Sequence, residues 1–273
     1  MIVVTGATGN VGRTLVGLVA SSGEDVVAVS RRSPEPPLPQ GVRHQSADLA
    51  EPDGLLPAFD GADALFLLTA GRDPRAVLDA AEAGGVRRVV LLSSQGAGTR
   101  PHQYPHPAAF ERAVRDRGLP WTVLRPGGFH SNAFAWVRSI REQHTVAAPF
   151  GDVALPTVDP VDIAEVAAAA LLDHGHEERT YVLTGPEPTT PRERAEAIGD
   201  VLGVPLRFVE QTREQARARM TASMPEPVVD ATLAILGDPL PEERRVSGDV
   251  ARLLGRPARS FADWAERNAA IFR

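Results

Sequence analysis

The sequence contains no cysteine and no lysine, so all 29 of its Lys and Arg positions are arginine. The absence of cysteine excludes disulfides, thiolate nucleophiles and cysteine-based zinc sites. The absence of lysine excludes Schiff bases and proton relays through a lysine. A composition rich in alanine, arginine, glycine and proline is typical of a GC-rich genome and explains the missing lysine without a functional cause. The chemical consequence is the same.

Long apolar runs and excess positive charge are also absent. No run approaches the roughly 18 apolar residues that a membrane span requires. The N-terminal stretch MIVVTGATG has neither the basic region nor the cleavage site of an export signal. The net charge of -6 argues against binding to nucleic-acid phosphates. We therefore expect a cytoplasmic protein, a monomer or homodimer, whose partner is a small aromatic substrate rather than a nucleic acid or a membrane.

Apolar runs alternate with amphipathic segments through the first half of the chain, as in MIVVTGA, DVVAVSR, ADALFLLTAG, VRRVVLLSS and WTVLRPGG. Continuous apolar strands separated by helices predict an α/β fold with a doubly wound parallel sheet of the Rossmann type. We expect residues 1–155 to form a nucleotide-binding domain. Residues 156–273 are expected to return to the core and build a small, mostly helical substrate-binding lobe. Within them, PLRFVEQ predicts a strand, and a helix is predicted after Thr190 as N-cap with Pro191 at its first position.

The stretch TGATGNVGRT places Gly6, Gly9 and Gly12 between the first strand and the first helix. Such glycines allow a tight turn, approach of the backbone to a pyrophosphate, and close packing of helix on strand. The free N–H groups and positive dipole end of the helix N-terminus then favour phosphate. This pattern predicts dinucleotide binding.

The end of the second predicted strand reads AVSRR and carries Ser30, Arg31 and Arg32. NAD-binding sites of this fold usually have an acidic residue there, which binds the ribose 2′-hydroxyl. Arginine instead suits a 2′-phosphate, to which its planar fork can donate two hydrogen bonds. Arg13 is a further candidate for this role. The sequence therefore predicts NADP(H) in preference to NAD(H), unless these arginines only coat the surface.

Seven segments carry a family resemblance: VVTGATGNVGR, SADL, LFLLTAG, VVLLSS, FERAVRDRGLPWTVLRPGGF, VDPVDIAEVAAAAL and YVLTGPEPTT. In these segments the chain resembles the atypical short-chain dehydrogenase/reductases, in particular the NmrA-like group, which includes NADPH-dependent quinone reductases and redox-sensing regulators. They cover roughly residues 1 to 190, and the tail matches only in its helical character.

The resemblance implies a role for each matching position. Around the pyrophosphate it places Thr8, Asn10 and Val11 with the three glycines, and near the adenine and ribose it places Asp48, Leu49, Thr69, Ala70 and Gly71. It assigns the adenosine phosphate to Arg31 and Arg32, and the nicotinamide to Ser93, Ser94, Pro126, Gly127 and Gly128. The Tyr-x-x-x-Lys pair of the larger superfamily is missing, as it must be in a chain without lysine.

Three residues remain as candidate catalytic groups. Ser94 can donate its hydroxyl to a substrate oxygen or simply cap local backbone. Tyr104 lies in the loop RPHQYPHP and is either catalytic or an exposed loop tyrosine. His106 precedes Pro107 and is expected at a helix N-cap, where the helix dipole favours a neutral imidazole that acts as a hydrogen-bond partner.

Other polar and aromatic residues carry weaker predictions. His102 and His130 are either substrate-pocket residues or ordinary solvated and packing histidines. Glu111 and Arg112 are expected on the solvated or sheet-edge face of their helix. Phe134 and Trp136 belong either to the core of the small lobe or to the wall of an aromatic-substrate pocket. The apolar residues Phe134, Val137 and Ile140 have the ordinary spacing of a helix core. No group of histidines and acids has a spacing that indicates a metal site.

The residues and the resemblance together predict an NADPH-dependent reductase without a Tyr-Lys pair. Its acceptor is expected to be a ketone or quinone of a flat aromatic molecule. A tailoring ketoreductase for an aromatic polyketide fits, because a phenol or second carbonyl of the substrate can replace the missing donor. A non-enzymatic redox sensor that binds NADP(H) is the alternative.

Overall fold

The computed structural model describes all residues, 1–273. The nine strands are β1 (Ile2–Thr5), β2 (Val26–Ser30), β3 (Arg43–Ser46), β4 (Ala64–Leu68), β5 (Arg88–Leu92), β6 (Trp121–Pro126), β7 (Thr145–Pro149), β8 (Arg179–Leu183) and β9 (Arg207–Gln211). Seven of them form one sheet in the order β3-β2-β1-β4-β5-β6-β8. The five neighbouring pairs from β3 to β6 are parallel. The predicted doubly wound Rossmann-type sheet is therefore confirmed.

Fourteen α-helices connect and flank these strands. They are α1 (Gly12–Ser21), α2 (Leu56–Phe59), α3 (Pro74–Ala83), α4 (Gln95–Thr99), α5 (Pro105–Arg115), α6 (Val137–Gln143), α7 (Pro160–Leu172), α8 (Pro191–Leu202), α9 (Arg213–Thr221), α10 (Glu226–Gly237), α11 (Pro241–Arg244), α12 (Asp249–Leu254), α13 (Phe261–Arg267) and α14 (Ala269–Phe272). Two 3₁₀ segments span Pro52–Gly54 and His130–Trp136. No helix is long and apolar enough to cross a membrane.

Two compact units are built from interleaved parts of the chain. The first consists of Met1–Gly98, Pro105–Pro126 and Pro160–Val182. The second consists of Thr99–Tyr104, Gly127–Asp159 and Leu183–Arg273. The units therefore do not meet at one point in the sequence, and the assignment of nucleotide and substrate binding to residues 1–155 and 156–273 stays a prediction.

The first unit has its core between the sheet and its helices. All residues of β1 and β2 are buried, whereas the edge strand β3 is polar and partly exposed. Helices α1 and α7 pack on each other, and α3 packs on α5. Apolar side chains on both faces of the central strands explain why their sequences are continuous apolar runs rather than alternating ones.

The second unit is mostly helical and contains the two-stranded sheet β7-β9, whose strands are parallel in the register Thr145↔Arg207. Strand β9 confirms the strand predicted from PLRFVEQ. Helix α8 begins as predicted: the Thr190 hydroxyl accepts from the N–H of Glu193, and Pro191 is the first helical residue. Phe134 and Trp136 lie in a hydrophobic cluster, where the Phe134 ring is 5.0 Å from that of Trp264. Of the two interpretations of this pair, the structure favours the core.

Candidate functional site

The glycine loop joins β1 to α1 in a tight turn that leaves no room for side chains. Gly6 has a φ of +65°, a left-handed conformation that favours glycine. The N–H of Gly9 donates to the Gly6 carbonyl over 2.9 Å. A methyl group at Gly12 would overlap that same carbonyl oxygen. The close contact at Gly12 thus packs the helix tightly on the loop, and exposed Gly9 completes a backbone cradle without side chains, as the approach of a pyrophosphate requires.

The start of α1 is open to an anion. No side chain caps the helix, and its first turn contains no acidic residue. Its uncompensated N–H groups and positive dipole end favour a phosphate. Thr8 and Asn10 are exposed beside the loop, whereas the side chain of Val11 is buried in the core. Val11 can therefore contribute only backbone to a ligand.

The end of β2 presents two guanidinium groups. Arg31 and Arg32 are exposed, and neither forms a salt bridge with a carboxylate. Buried Ser30 donates its hydroxyl to the carbonyl of Arg32 over 2.7 Å, which fixes the turn. Arg13 instead donates to the carbonyls of Glu35 and Pro36. The residues available to a 2′-phosphate are therefore Arg31 and Arg32, while Arg13 holds the proline-rich loop.

The segments after β3 and β4 meet. Gly71 has a φ of +90°, and a methyl group there would overlap the carbonyl oxygen of Leu49. The Asp48 carboxylate accepts from the N–H of Ala50 over 3.0 Å. Because parallel strands end at one edge of a sheet, these segments share that edge with the glycine loop. Thr69 and Ala70, partly buried, continue the same edge.

The end of β5 is held by a buried ionic network that the sequence did not predict. Ser93 donates its hydroxyl to Oε1 of Glu111 over 2.7 Å. Arg125, at the end of β6, donates to both oxygens of Glu111, over 2.9 Å and 2.6 Å. Arg115 completes the network at 3.0 Å. Burial raises the pKa of the Glu111 carboxyl, but the hydrogen bonds from Arg125 and Ser93 outweigh it, so the pKa lies below its ordinary value.

Of the two predicted positions of Glu111, the solvated face is wrong, because its side chain is only 2% exposed. It faces the sheet instead, where it contacts Ser93 and Arg125. Exposed Arg112 does lie on the solvated face. The sequence did contain a signal for the burial of Glu111. It lies between apolar Phe110 on one side and apolar Ala113 and Val114 on the other, all of which are buried. Its counter-ion on β6 could not be read from the sequence, since it belongs to another element.

The three candidate catalytic residues have different surroundings. Ser94 is half-buried and accepts from the N–H of Gly96 over 3.2 Å, so its hydroxyl proton remains available. Tyr104 belongs to the second unit. Burial raises the pKa of its phenol, despite a hydrogen bond with Thr232. Tyr104 is therefore a neutral hydroxyl donor at physiological pH.

His106 is not at the predicted N-cap. Helix α5 begins at Pro105, so exposed His106 lies within the first turn, with its ring 5.2 Å from that of Phe110. The reason is that proline, with a fixed φ and no N–H, suits the first helical position. Pro105 occupies this first position, two residues before Pro107.

The remaining predicted residues divide between backbone and packing roles. Pro126 ends β6, and the N–H of Gly127 donates to Leu183 while the carbonyl of Gly128 accepts from Val158. Both glycines therefore present backbone only. His130 is buried, with Nδ1 2.8 Å from the Thr157 hydroxyl and its ring packed on Phe261, which identifies it as a packing histidine. His102 is exposed, and no group of side chains could hold a metal ion.

The parallel sheet, the glycine cradle and the uncapped helix define a dinucleotide-binding protein of the Rossmann type. Comparison with known proteins gives the family: residues 6–174 match the family described as NAD(P)H-binding. The chain belongs to this family.

Two full-length relatives are reductases. The chain is 39% identical to a "(4-alkanoyl-5-oxo-2,5-dihydrofuran-3-yl)methyl phosphate reductase" of Streptomyces griseus, over 100% of this chain and 99% of that one. It is 33% identical to an "NAD(P)H azoreductase" of Xenophilus azovorans, with the same coverage. The predicted NAD(P)H-dependent oxidoreductase class is thereby confirmed.

A solved structure shares the fold. The NADPH-dependent quinone oxidoreductase QOR2 of Escherichia coli, in complex with NADPH, superposes with a TM-score of 0.81 at 23% identity. The superposition covers 98% of this chain and 99% of the other. The superposition confirms the fold, while the roles of individual site residues stay predictions.

Proposed function

We propose that this oxidoreductase transfers hydride from NADPH to a ketone or quinone of a flat, largely aromatic molecule. The observation that carries the proposal is the Gly6–Gly12 cradle at the sheet edge that also ends in Arg31 and Arg32. The loop fits a pyrophosphate because Gly9 exposes its backbone beside the uncapped N-terminus of α1. The two arginines fit a 2′-phosphate because neither guanidinium forms a salt bridge with a carboxylate.

The acceptor class is supported by what the relatives have in common. Their names describe reduction of an acylated dihydrofuranone, an azo compound and a quinone. In each, the reducible bond is part of, or conjugated with, an electron-poor π system. Such acceptors take up hydride with little help from a general acid, and a chain without lysine has no Tyr-Lys pair to offer.

The bound cofactor supplies the hydride, and the chain supplies position and hydrogen bonds. Glu111 fixes Ser93 and thereby the end of β5, next to Ser94. The Ser94 hydroxyl can donate to a developing negative charge on a substrate oxygen. Neutral Tyr104 can do the same. A polyketide ketone with a neighbouring phenol is a fitting acceptor, because its own hydroxyl can supply the remaining donor.

The proposal is tested by the loss of NADPH absorbance in the presence of quinones, polycyclic ketones and unsaturated ketones. Turnover of quinones with NADPH, and slower turnover with NADH, is the expected result. Tight binding of both NADP⁺ and NADPH without turnover of any acceptor would contradict it and favour the non-enzymatic sensor. Cytoplasmic location and a monomeric or homodimeric state stay predictions.

A further inference from the structure

Arg194 is a buried cation without an anionic partner. It lies in the first turn of α8, is 9% exposed and forms no salt bridge. Its one side-chain hydrogen bond runs from Nε to the carbonyl oxygen of Thr190, over 3.3 Å. Burial lowers the pKa of its guanidinium to about 10, so the group remains charged at neutral pH. A buried charge without a partner raises the free energy of the folded protein unless an ion or a hydrogen-bonding group compensates it.

Three buried acids of the chain, by contrast, have partners of opposite charge. Buried Glu111 is paired with Arg125, buried Glu243 with Arg100, and buried Asp159 with Arg267. The acid adjacent to Arg194 in sequence is already occupied, because Glu193 accepts from the N–H of Thr190 over 2.8 Å in the capping box. The charge of Glu193 raises the pKa of Arg194, but less than burial lowers it, and no salt bridge joins the two side chains, so this helix turn compensates the guanidinium only in part.

A polar side chain without a hydrogen-bond partner lies just before α8. The hydroxyl of Thr189 is buried and has no hydrogen-bond partner. Its backbone is fully used, since its N–H and carbonyl both bond to Leu155, over 3.0 Å and 3.2 Å. Thr189 directly precedes Thr190, the residue to which the Arg194 side chain is anchored. A guanidinium and a hydroxyl are donor types with which proteins bind phosphate groups.

We propose that Arg194, with the hydroxyl of Thr189, binds a phosphate monoester carried by the substrate. The inference rests on the proposed function, since it specifies the acceptor as a phosphorylated molecule. A phosphate is favoured over a neutral polar group because it supplies both the negative charge that Arg194 lacks and acceptors for the Thr189 hydroxyl. The bound phosphate thus offsets the cost of keeping the guanidinium buried.

Phosphate binding is measured first, apart from catalysis. Protein saturated with NADP⁺, so that the cofactor's own phosphate sites are filled, is titrated with inorganic phosphate while Tm is followed at constant ionic strength. Wild type is expected to gain Tm. Arg194→Met is expected to start at an equal or higher Tm, because a buried unpaired charge is removed, and to lose the gain. Arg194→Lys and Thr189→Val should each retain part of it.

Arg192→Met is the matched control. It removes the same charge two residues away on α8, where the arginine already contacts Asp152 and Glu210. Its Tm should still rise with phosphate. A fall in the Tm of Arg194→Met together with an unchanged phosphate effect would overturn the proposal and make Arg194 a structural residue that binds Thr190. The absence of any phosphate effect on wild type would overturn it as well.

Steady-state kinetics then test whether the bound phosphate is part of the substrate. The probes are a (4-alkanoyl-5-oxo-2,5-dihydrofuran-3-yl)methyl phosphate and the corresponding free alcohol. Arg194→Met should raise KM about 10- to 100-fold for the phosphate ester, leave kcat nearly unchanged, and leave the kinetics of the alcohol unaffected. Equal KM values of wild type for both probes would refute a substrate phosphate.

The two proposals fail in different ways. If wild type reduces neither probe nor any quinone, the proposed function is wrong, and a Tm gain that depends on Arg194 still supports the phosphate site. If quinones are reduced but phosphate has no effect on Tm or KM, the reductase assignment holds and the phosphate site is wrong.

Discussion

Ser93 and Glu111 share a short hydrogen bond, 2.7 Å between Oγ and Oε1, inside the first unit. The bond joins the end of β5 to helix α5, and Arg125 attaches the same carboxylate to β6. Three elements at the predicted nicotinamide end of the sheet are therefore fixed by one buried acid. A methyl group at Gly98 would overlap the Arg125 guanidinium, so the arginine has little freedom to move.

Glu111→Gln should destabilise the protein by about 2 to 3 kcal/mol, because it leaves Arg125 and Arg115 without their anion in a buried setting. Urea unfolding measures the change. The exposed neighbour gives the control: Arg112→Gln should shift stability by less than about 0.5 kcal/mol. A Glu111→Gln variant as stable as wild type would show that the network contributes nothing to folding.

The same network predicts a pH dependence. The pKa of Glu111 is lower in the folded than in the unfolded state, so its stabilisation is complete above the ordinary value of 4.5 and is lost as pH falls through the folded value. The stability difference between wild type and Glu111→Gln should therefore shrink in acid below pH 4.5 and stay constant from there to neutrality. A difference that grows in acid would contradict this sign.

Gly12→Ala should weaken NADPH binding about 10- to 100-fold, since the new methyl group must displace the Gly6 carbonyl and open the cradle. Quenching of NADPH fluorescence or calorimetry gives the Kd, and Tm reports on folding. Gly17→Ala, on the same helix, is the control because nothing lies within 4 Å of its added Cβ. That variant should bind normally and be slightly more stable, as alanine favours helix over glycine.

Replacing Arg31 and Arg32 together by alanine should raise the Kd for NADPH about tenfold or more and leave the Kd for NADH unchanged, because only NADPH carries the 2′-phosphate. Arg179→Ala removes an exposed arginine at the start of β8, the opposite edge of the sheet, and should change neither value. Equal losses for both cofactors would mean that the arginines do not recognise the 2′-phosphate.

Ser94→Ala, Tyr104→Phe and His106→Ala should each lower kcat for a quinone by no more than about tenfold, since general-acid assistance matters little for such acceptors. For an ordinary ketone, Ser94→Ala or Tyr104→Phe should cost more, because an alkoxide then develops. His106→Ala should have the smallest effect, as the side chain is exposed. A hundredfold loss with a quinone would instead identify an essential proton donor.

Local sequence patterns sufficed for the five central strands β1, β2, β4, β5 and β6, the glycine cradle and the cap of α8, since each depends on residues close together in the chain. Strand β7 was missed because TVAAP is short, ends in proline and is defined only by its pairing with β9. The ion pair of Glu111 could not be predicted for the same reason, as its partner Arg125 lies on β6. The unpaired state of Arg194 could not be predicted at all, because an absent partner is a property of the packed structure.

The interleaving of the two units limits how this protein can be re-engineered. The first unit takes α7 and most of β8 from residues 160–182, after the chain has already contributed to the second unit. Division of the chain near residue 155 would separate the edge strand β8 from the sheet. It would also separate α1 from α7, the helix that packs on it. New acceptor specificity should therefore come from point changes or exchanged loops within the full-length chain, because residues on both sides of position 155 build the same sheet.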